Sequence, residues 1–67
     1  MKLTYDVHFD DAENGNCKGF EKDEQFCLDY IRQYNGTNES YFADYKGGTV
    51  SIVCNETEET IYREEIK

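Results

Sequence analysis

The sequence predicts a single small α+β domain, ordered β-α-β-β-β, in which one helix packs on one face of a mainly antiparallel four-stranded sheet. Two patterns carry this prediction. Apolar residues recur at three-to-four spacing between Phe20 and Asn35, which is typical of an amphipathic helix. Apolar and polar residues alternate in 2–9 and again in 49–55, which is typical of half-buried strands. We therefore expect residues 1–67 to form one domain.

The first predicted strand runs from Lys2 to Phe9 and has one apolar and one polar side. Its apolar side carries Leu3, Tyr5, Val7 and Phe9, and its polar side carries Lys2, Thr4, Asp6 and His8. His8 is the only histidine and has no nucleophile pattern beside it, so we expect an ordinary surface residue.

The segment Asp10–Gly19 is predicted to be an acidic loop. Numbered from Asp10, it matches a calcium-binding loop at Asp10, Asn14, Gly15 and Glu21, which would be positions 1, 5, 6 and 12. Ala12, however, cannot bind an ion at position 3, and a strand rather than a helix leads into the loop. We therefore predict no metal, and keep a weak calcium site at Asp10, Asn14 and Glu21 as an alternative.

The helix is predicted between Phe20 and Asn35, with Asp23 as its N-cap and Gly36 beyond its end. Its apolar stripe comprises Phe26, Cys27, Tyr30, Ile31 and Tyr34, which we expect to pack on the sheet.

Three further strands are predicted after the helix. The aromatic segment 40–45 would be one strand, and Lys46-Gly47-Gly48 would turn it into a central strand at 49–55. A polar turn and a last strand at 60–66 would complete a meander.

Composition limits the choice of partner. The formal net charge is −8, so the chain should repel nucleic acids and anionic membranes and attract a basic protein surface.

The start of the chain lacks a targeting pattern, and there is no long apolar stretch. The three cysteines form no CxxC pair, which favours a cytoplasmic chain with reduced thiols. We expect Cys27 and Cys54 in the core and Cys17 at the surface.

Catalytic signatures are missing from the sequence. It has no glycine-rich phosphate loop, no Cys/His metal spacing and no nucleophile elbow, so we predict neither an enzyme nor a cofactor. Clustered acids remain as the distinctive chemistry, and the first two clusters lie close in sequence, at the predicted loop and helix start. The predicted partner-binding acids are Asp10, Asp11, Glu13, Glu21, Asp23, Glu24, Glu56, Glu58 and Glu59.

Acids spaced along a small rigid scaffold can occupy a basic groove in place of nucleic-acid phosphates. In size, acidity and helix-plus-sheet plan, the chain resembles the small phage-encoded anti-CRISPR and anti-restriction inhibitors of host defence nucleases. The resemblance implies an inhibitor or accessory factor from a phage or mobile element. The alternative is a self-associating structural module that uses a sheet edge and the rings of Tyr41, Phe42, Tyr45 and Tyr62.

Overall fold

The computed structural model describes residues 2–67 as an α+β unit with four strands in one sheet. The elements are β1 (Tyr5–Asp10), β2 (Gly15–Lys22), α1 (Glu24–Tyr34), α2 (Tyr41–Asp44), β3 (Thr49–Cys54) and β4 (Thr60–Glu65). The strand order is β2-β1-β3-β4, and each neighbouring pair is antiparallel. The predicted class, a four-stranded sheet with a helix packed on one face, is confirmed. Two segments, however, differ in secondary structure from the prediction.

The first difference concerns the predicted acidic loop. The prediction is wrong from Gly15 onward, because the chain turns back there and pairs with β1. Asp11 holds the turn: its Oδ1 accepts hydrogen bonds from the backbone N–H groups of Glu13 at 2.8 Å and Asn14 at 2.7 Å. The observed order is therefore β-β-α-α-β-β. Because backbone hydrogen bonds hold an edge strand, its side chains need not alternate in polarity.

The second difference concerns the segment 40–45, which was predicted to be a strand and instead contains α2. Phe42 is fully buried and meets the ring of Phe9 edge to face, with centroids 4.9 Å apart. Tyr45 is buried as well. The helical turn places rings at i and i+4 on one side, which lets Tyr41 and Tyr45 pack together at 6.0 Å. The rings that suggested self-association therefore pack largely within the fold.

Helix α1 starts later than predicted, because Phe20 to Lys22 belong to β2. The predicted N-cap is confirmed: Asp23 Oδ1 accepts a hydrogen bond from the N–H of Phe26 at 2.8 Å. Gly36 follows the helix with a φ of +96°. On the predicted stripe, Cys27 and Ile31 are fully buried, whereas Phe26 is 44% exposed.

The core lies between α1, α2 and one face of the sheet. The two central strands supply Val7, Phe9, Val50 and Ile52, and the helices supply Cys27, Ile31 and Phe42. The other face of the sheet has no helix over it within residues 2–67 and carries polar side chains. Among the described helices, none is long and apolar enough to cross a membrane.

Candidate functional site

Two of the three predicted acidic clusters meet at one end of the sheet. Tyr5, at the start of β1, is paired with Lys22 on one side and with Cys54 on the other. The end of β2 and the end of β3 therefore lie beside the start of β1. We call this group the acidic end; it comprises Glu21, Asp23, Glu24, Glu56, Glu58 and Glu59, all of them exposed.

The remaining cluster, Asp10, Asp11 and Glu13, lies at the opposite end. Asp10 is paired with Gly15 and with Thr49, which places the β1–β2 turn away from the acidic end. This cluster is close in sequence to Glu21, Asp23 and Glu24, but the eight residues of β2 separate them in space by roughly 25 Å.

The backbone at the acidic end is unusual. Glu21 and Glu58 have positive φ angles of 52° and 61°, a region that side chains other than glycine adopt at a cost of about 1 kcal/mol. The Glu58 conformation closes the β3–β4 turn, where its N–H donates to the carbonyl of Cys54 at 2.8 Å. Glu21 lies within β2, where its N–H donates to Oδ1 of Asp6 at 2.9 Å.

The alternative calcium site is excluded by the same strand. Asn14 lies in the β1–β2 turn, and Glu21 lies near the far end of β2, roughly 20 Å away. Calcium ligands must all lie within about 2.5 Å of one ion, so Asp10, Asn14 and Glu21 cannot share it. The resemblance to a calcium loop is therefore wrong.

A polar groove of about 660 Å³ lies on the uncovered face of the sheet. Its floor crosses the central strands, with Asp6, His8 and Asp10 from β1 and Thr49 and Ser51 from β3. Arg63 of β4 and Glu58 of the β3–β4 turn add one charge of each sign. The sequence predicts His8 on the polar side of its strand, and the structure places it on this polar face of the sheet.

Two side chains of the groove floor also belong to a second group. Asp6 and His8 on β1 and Cys17 on β2 each offer one metal-ligating atom, and the three atoms lie within 4.8 Å of one another. His8 and Cys17 are direct cross-strand partners, and Asp6 is two residues before His8 on the same face. Burial raises the pKa of the Cys17 thiol, and the negative charge of Asp6 raises it further.

The sequence pattern places Cys17 in a loop and therefore does not predict this group. The alternation that placed Asp6 and His8 on one side of β1 was sound, but it says nothing about the neighbouring strand. The Asn14-Gly15 pair is the local signal that could have identified the turn and hence the register of Cys17 with His8.

The other two cysteines are buried, as predicted, and all three thiols are free. Burial raises the pKa of Cys27 to about 11, with Asp6 and Asp23 acting in the same direction. Hydrogen bonds from the backbone and side chain of Thr57 lower the pKa of Cys54. Neither thiol belongs to the group of Asp6, His8 and Cys17, although Cys54 lines part of the groove.

Comparison of the chain with protein-family models, with curated proteins and with solved structures finds no match.

Proposed function

We propose that the protein is a small acidic interaction protein, without enzymatic activity, that presents the carboxylates of its acidic end to a basic protein surface. The supporting observation is that acids from two segments far apart in sequence, Glu21–Glu24 and Glu56–Glu59, lie at one end of the sheet. The preferred partner is a nucleic-acid-binding protein, because its groove already accepts a row of negative charges.

The dimensions of the fold suit this role. The acidic end spans the outer strands β2 and β4, which are three strand spacings, or about 14 Å, apart. Lys2 and Lys22 also lie at this end, so its charge is reduced but stays negative. Opposite charges steer the encounter of two proteins and make their association fast at low salt.

The biological setting forms part of the proposal. An inhibitor or accessory factor of a phage or mobile element would act in the cytoplasm, where the nucleases and other nucleic-acid enzymes that it could block are found. The chain's own net charge of −8 keeps it from competing with its partner for the nucleic acid.

Two variants that remove the same number of charges can test the proposal. One replaces Glu56, Glu58 and Glu59 at the acidic end by glutamine, and the other replaces Asp10, Asp11 and Glu13 at the opposite end by asparagine or glutamine. Binding to a panel of basic DNA- and RNA-processing nucleases would be measured from low to high salt, with and without competing duplex.

We expect a member of the panel to bind the wild-type chain, with an affinity that falls as salt rises and with competition by the duplex. The acidic-end variant should lose about tenfold or more in affinity, and the opposite-end variant much less. Equal losses in both variants would mean that overall charge alone matters. Such a result, or binding to no member of the panel, would contradict the proposal.

A further inference from the structure

We propose that Asp6, His8 and Cys17 form a zinc-binding site on the uncovered face of the sheet. This site differs from the acidic end in its chemistry, because it combines a carboxylate oxygen, an imidazole nitrogen and a sulfur, which is a donor set typical of zinc. The inference is independent of the proposed function, because it concerns a metal rather than a protein partner.

The distances require only a small contraction. In tetrahedral zinc, bond lengths of about 2.0–2.3 Å place neighbouring ligand atoms about 3.3–3.8 Å apart. The ligand atoms of the three side chains already lie within 4.8 Å of one another, so a shift of about 1 Å brings them into range. Rotation about the side-chain bonds can supply that shift while the backbone of β1 and β2 stays in place.

The sheet fixes the relative positions of the three residues. His8 is opposite Cys17 in the β1–β2 pairing, and Asp6 is on the same face of β1 as His8. A site built on paired strands is held more rigidly than a site built on a loop.

The carboxylate of Asp6 is already oriented. Its Oδ1 accepts hydrogen bonds from the backbone N–H of Glu21 at 2.9 Å and from the side-chain amide of Asn55 at 3.3 Å. Ligating carboxylates in metal sites are held by such partners. Its Oδ2 lies on the side of Gly19, which has no side chain to cover it.

The irregular pairing of β1 with β2 contributes to this orientation. The register shifts between Tyr5 and Val7, at the position of Asp6, and Glu21 has a φ of +52°. The bulge turns the N–H of Glu21 toward the Asp6 side chain. Bulges and left-handed residues of this kind are often found beside functional sites, where they direct a side chain.

The charges of the three ligands match a divalent ion. On binding, the thiol of Cys17 releases its proton to solvent and forms a Zn–S bond as a thiolate, while an imidazole nitrogen of His8 and a carboxylate oxygen of Asp6 supply the other two bonds. Two negative charges then balance Zn²⁺. Magnesium and calcium prefer oxygen ligands alone, so they should not compete well. Three protein ligands leave the fourth position of the zinc to a water molecule.

The test uses the full 67-residue chain, reduced and treated with a chelator. Zinc affinity and stoichiometry would be measured by competition with a chromophoric chelator, and cobalt(II) would serve as a spectroscopic probe for a metal–thiolate bond. The variants are Asp6→Asn, His8→Gln and Cys17→Ser, with Glu13→Gln as the control for an exposed carboxylate outside the site. Circular dichroism would verify that each variant folds.

We expect one zinc ion per chain and a thiolate-to-cobalt absorption band that Cys17→Ser abolishes. Each ligand variant should weaken zinc binding about tenfold or more, whereas Glu13→Gln should leave it unchanged. The inference would be overturned by wild-type cobalt spectra without the thiolate band, by zinc affinity unchanged in Cys17→Ser, or by calcium displacing zinc at equal concentration. Because Cys17 is exposed, its replacement by serine gives a folded variant even if Asp6→Asn does not.

Discussion

Gly48 lies against the backbone carbonyl of Asp10 so closely that a Cβ atom at position 48 would be 2.2 Å from the carbonyl oxygen. The same glycine donates its N–H to Tyr45 and accepts a hydrogen bond from the N–H of Ile66. This contact joins the end of β1 to the segment between α2 and β3. Position 48 therefore requires glycine because two backbones approach each other closely there.

Replacing Gly48 by alanine should lower the free energy of unfolding by about 2 kcal/mol or more, because the carbonyl belongs to the backbone and cannot move aside easily. Urea denaturation measures the change. Gly19→Ala is the matched control, since its added Cβ would meet nothing closer than 3.9 Å. Equal stabilities for the two variants would show that the backbones are not in contact.

Phe42 distinguishes the observed helix α2 from the strand that the sequence suggested. Its ring is fully buried against Phe9, so Phe42→Ala should cost about 3–5 kcal/mol of unfolding free energy. Phe26→Ala is the control, because that ring is 44% exposed on α1 and should cost far less. Thermal or urea denaturation compares them, and a similar loss in both variants would contradict the buried position of Phe42.

Local signals in the sequence predicted the elements whose two sides differ in polarity. The alternation in β1 and β3 and the stripe of α1 each reflect one buried and one exposed side. The cap at Asp23 was predictable because it depends on neighbours three residues away. These features sufficed for the fold class and for placing Asp6 and His8 on the polar face.

The remaining features depend on contacts between distant residues. β2 is an edge strand with mostly exposed side chains, so its pairing with β1 leaves no apolar pattern in the sequence. α2 is a single short turn whose rings fit either a strand or a helix until Phe9 is placed beside them. The meeting of His8 with Cys17 follows from the register of β2 and was hidden for the same reason.

Tyr30 and Tyr62 should respond in opposite ways to loss of the hydroxyl group. The hydroxyl of Tyr30 is buried without a hydrogen-bond partner among the described residues, so Tyr30→Phe should be neutral or raise stability by up to about 1 kcal/mol. The hydroxyl of Tyr62 donates to the carboxylate of Glu64, so Tyr62→Phe should lower stability by about 1 kcal/mol. Paired urea denaturation curves would verify this, and a destabilised Tyr30→Phe would mean that the Tyr30 hydroxyl is hydrogen-bonded to the side chain of Ser40.

The three thiols should differ in their reactivity toward a chromogenic disulfide reagent in the absence of metal. Cys17 is exposed and should react alone in a fast phase, at a rate that keeps rising with pH because its pKa is raised. Cys27 and Cys54 are buried and should react only when denaturant opens the fold. Counting thiols before and after denaturation measures this, and a fast phase that persists in Cys17→Ser would contradict the exposure assigned to each cysteine.

Cys27 should make the protein less stable at alkaline pH. Its Sγ lies 3.5 Å from the backbone carbonyl oxygen of Tyr5, to which the thiol proton is donated, and burial raises its pKa from 9.0 to about 11. Between these values the unfolded chain loses the proton while the folded chain keeps it, so the free energy of unfolding should fall as pH rises from 9 to 11. Urea denaturation across this range measures the slope of the unfolding free energy against pH.

The control for this prediction is Cys27→Ala, because tyrosines also titrate in this pH range. The slope of Cys27→Ala should be shallower, even though the cavity lowers its stability at every pH. Parallel slopes in the two proteins would mean that the Cys27 thiol ionises as readily in the folded chain as in the unfolded one.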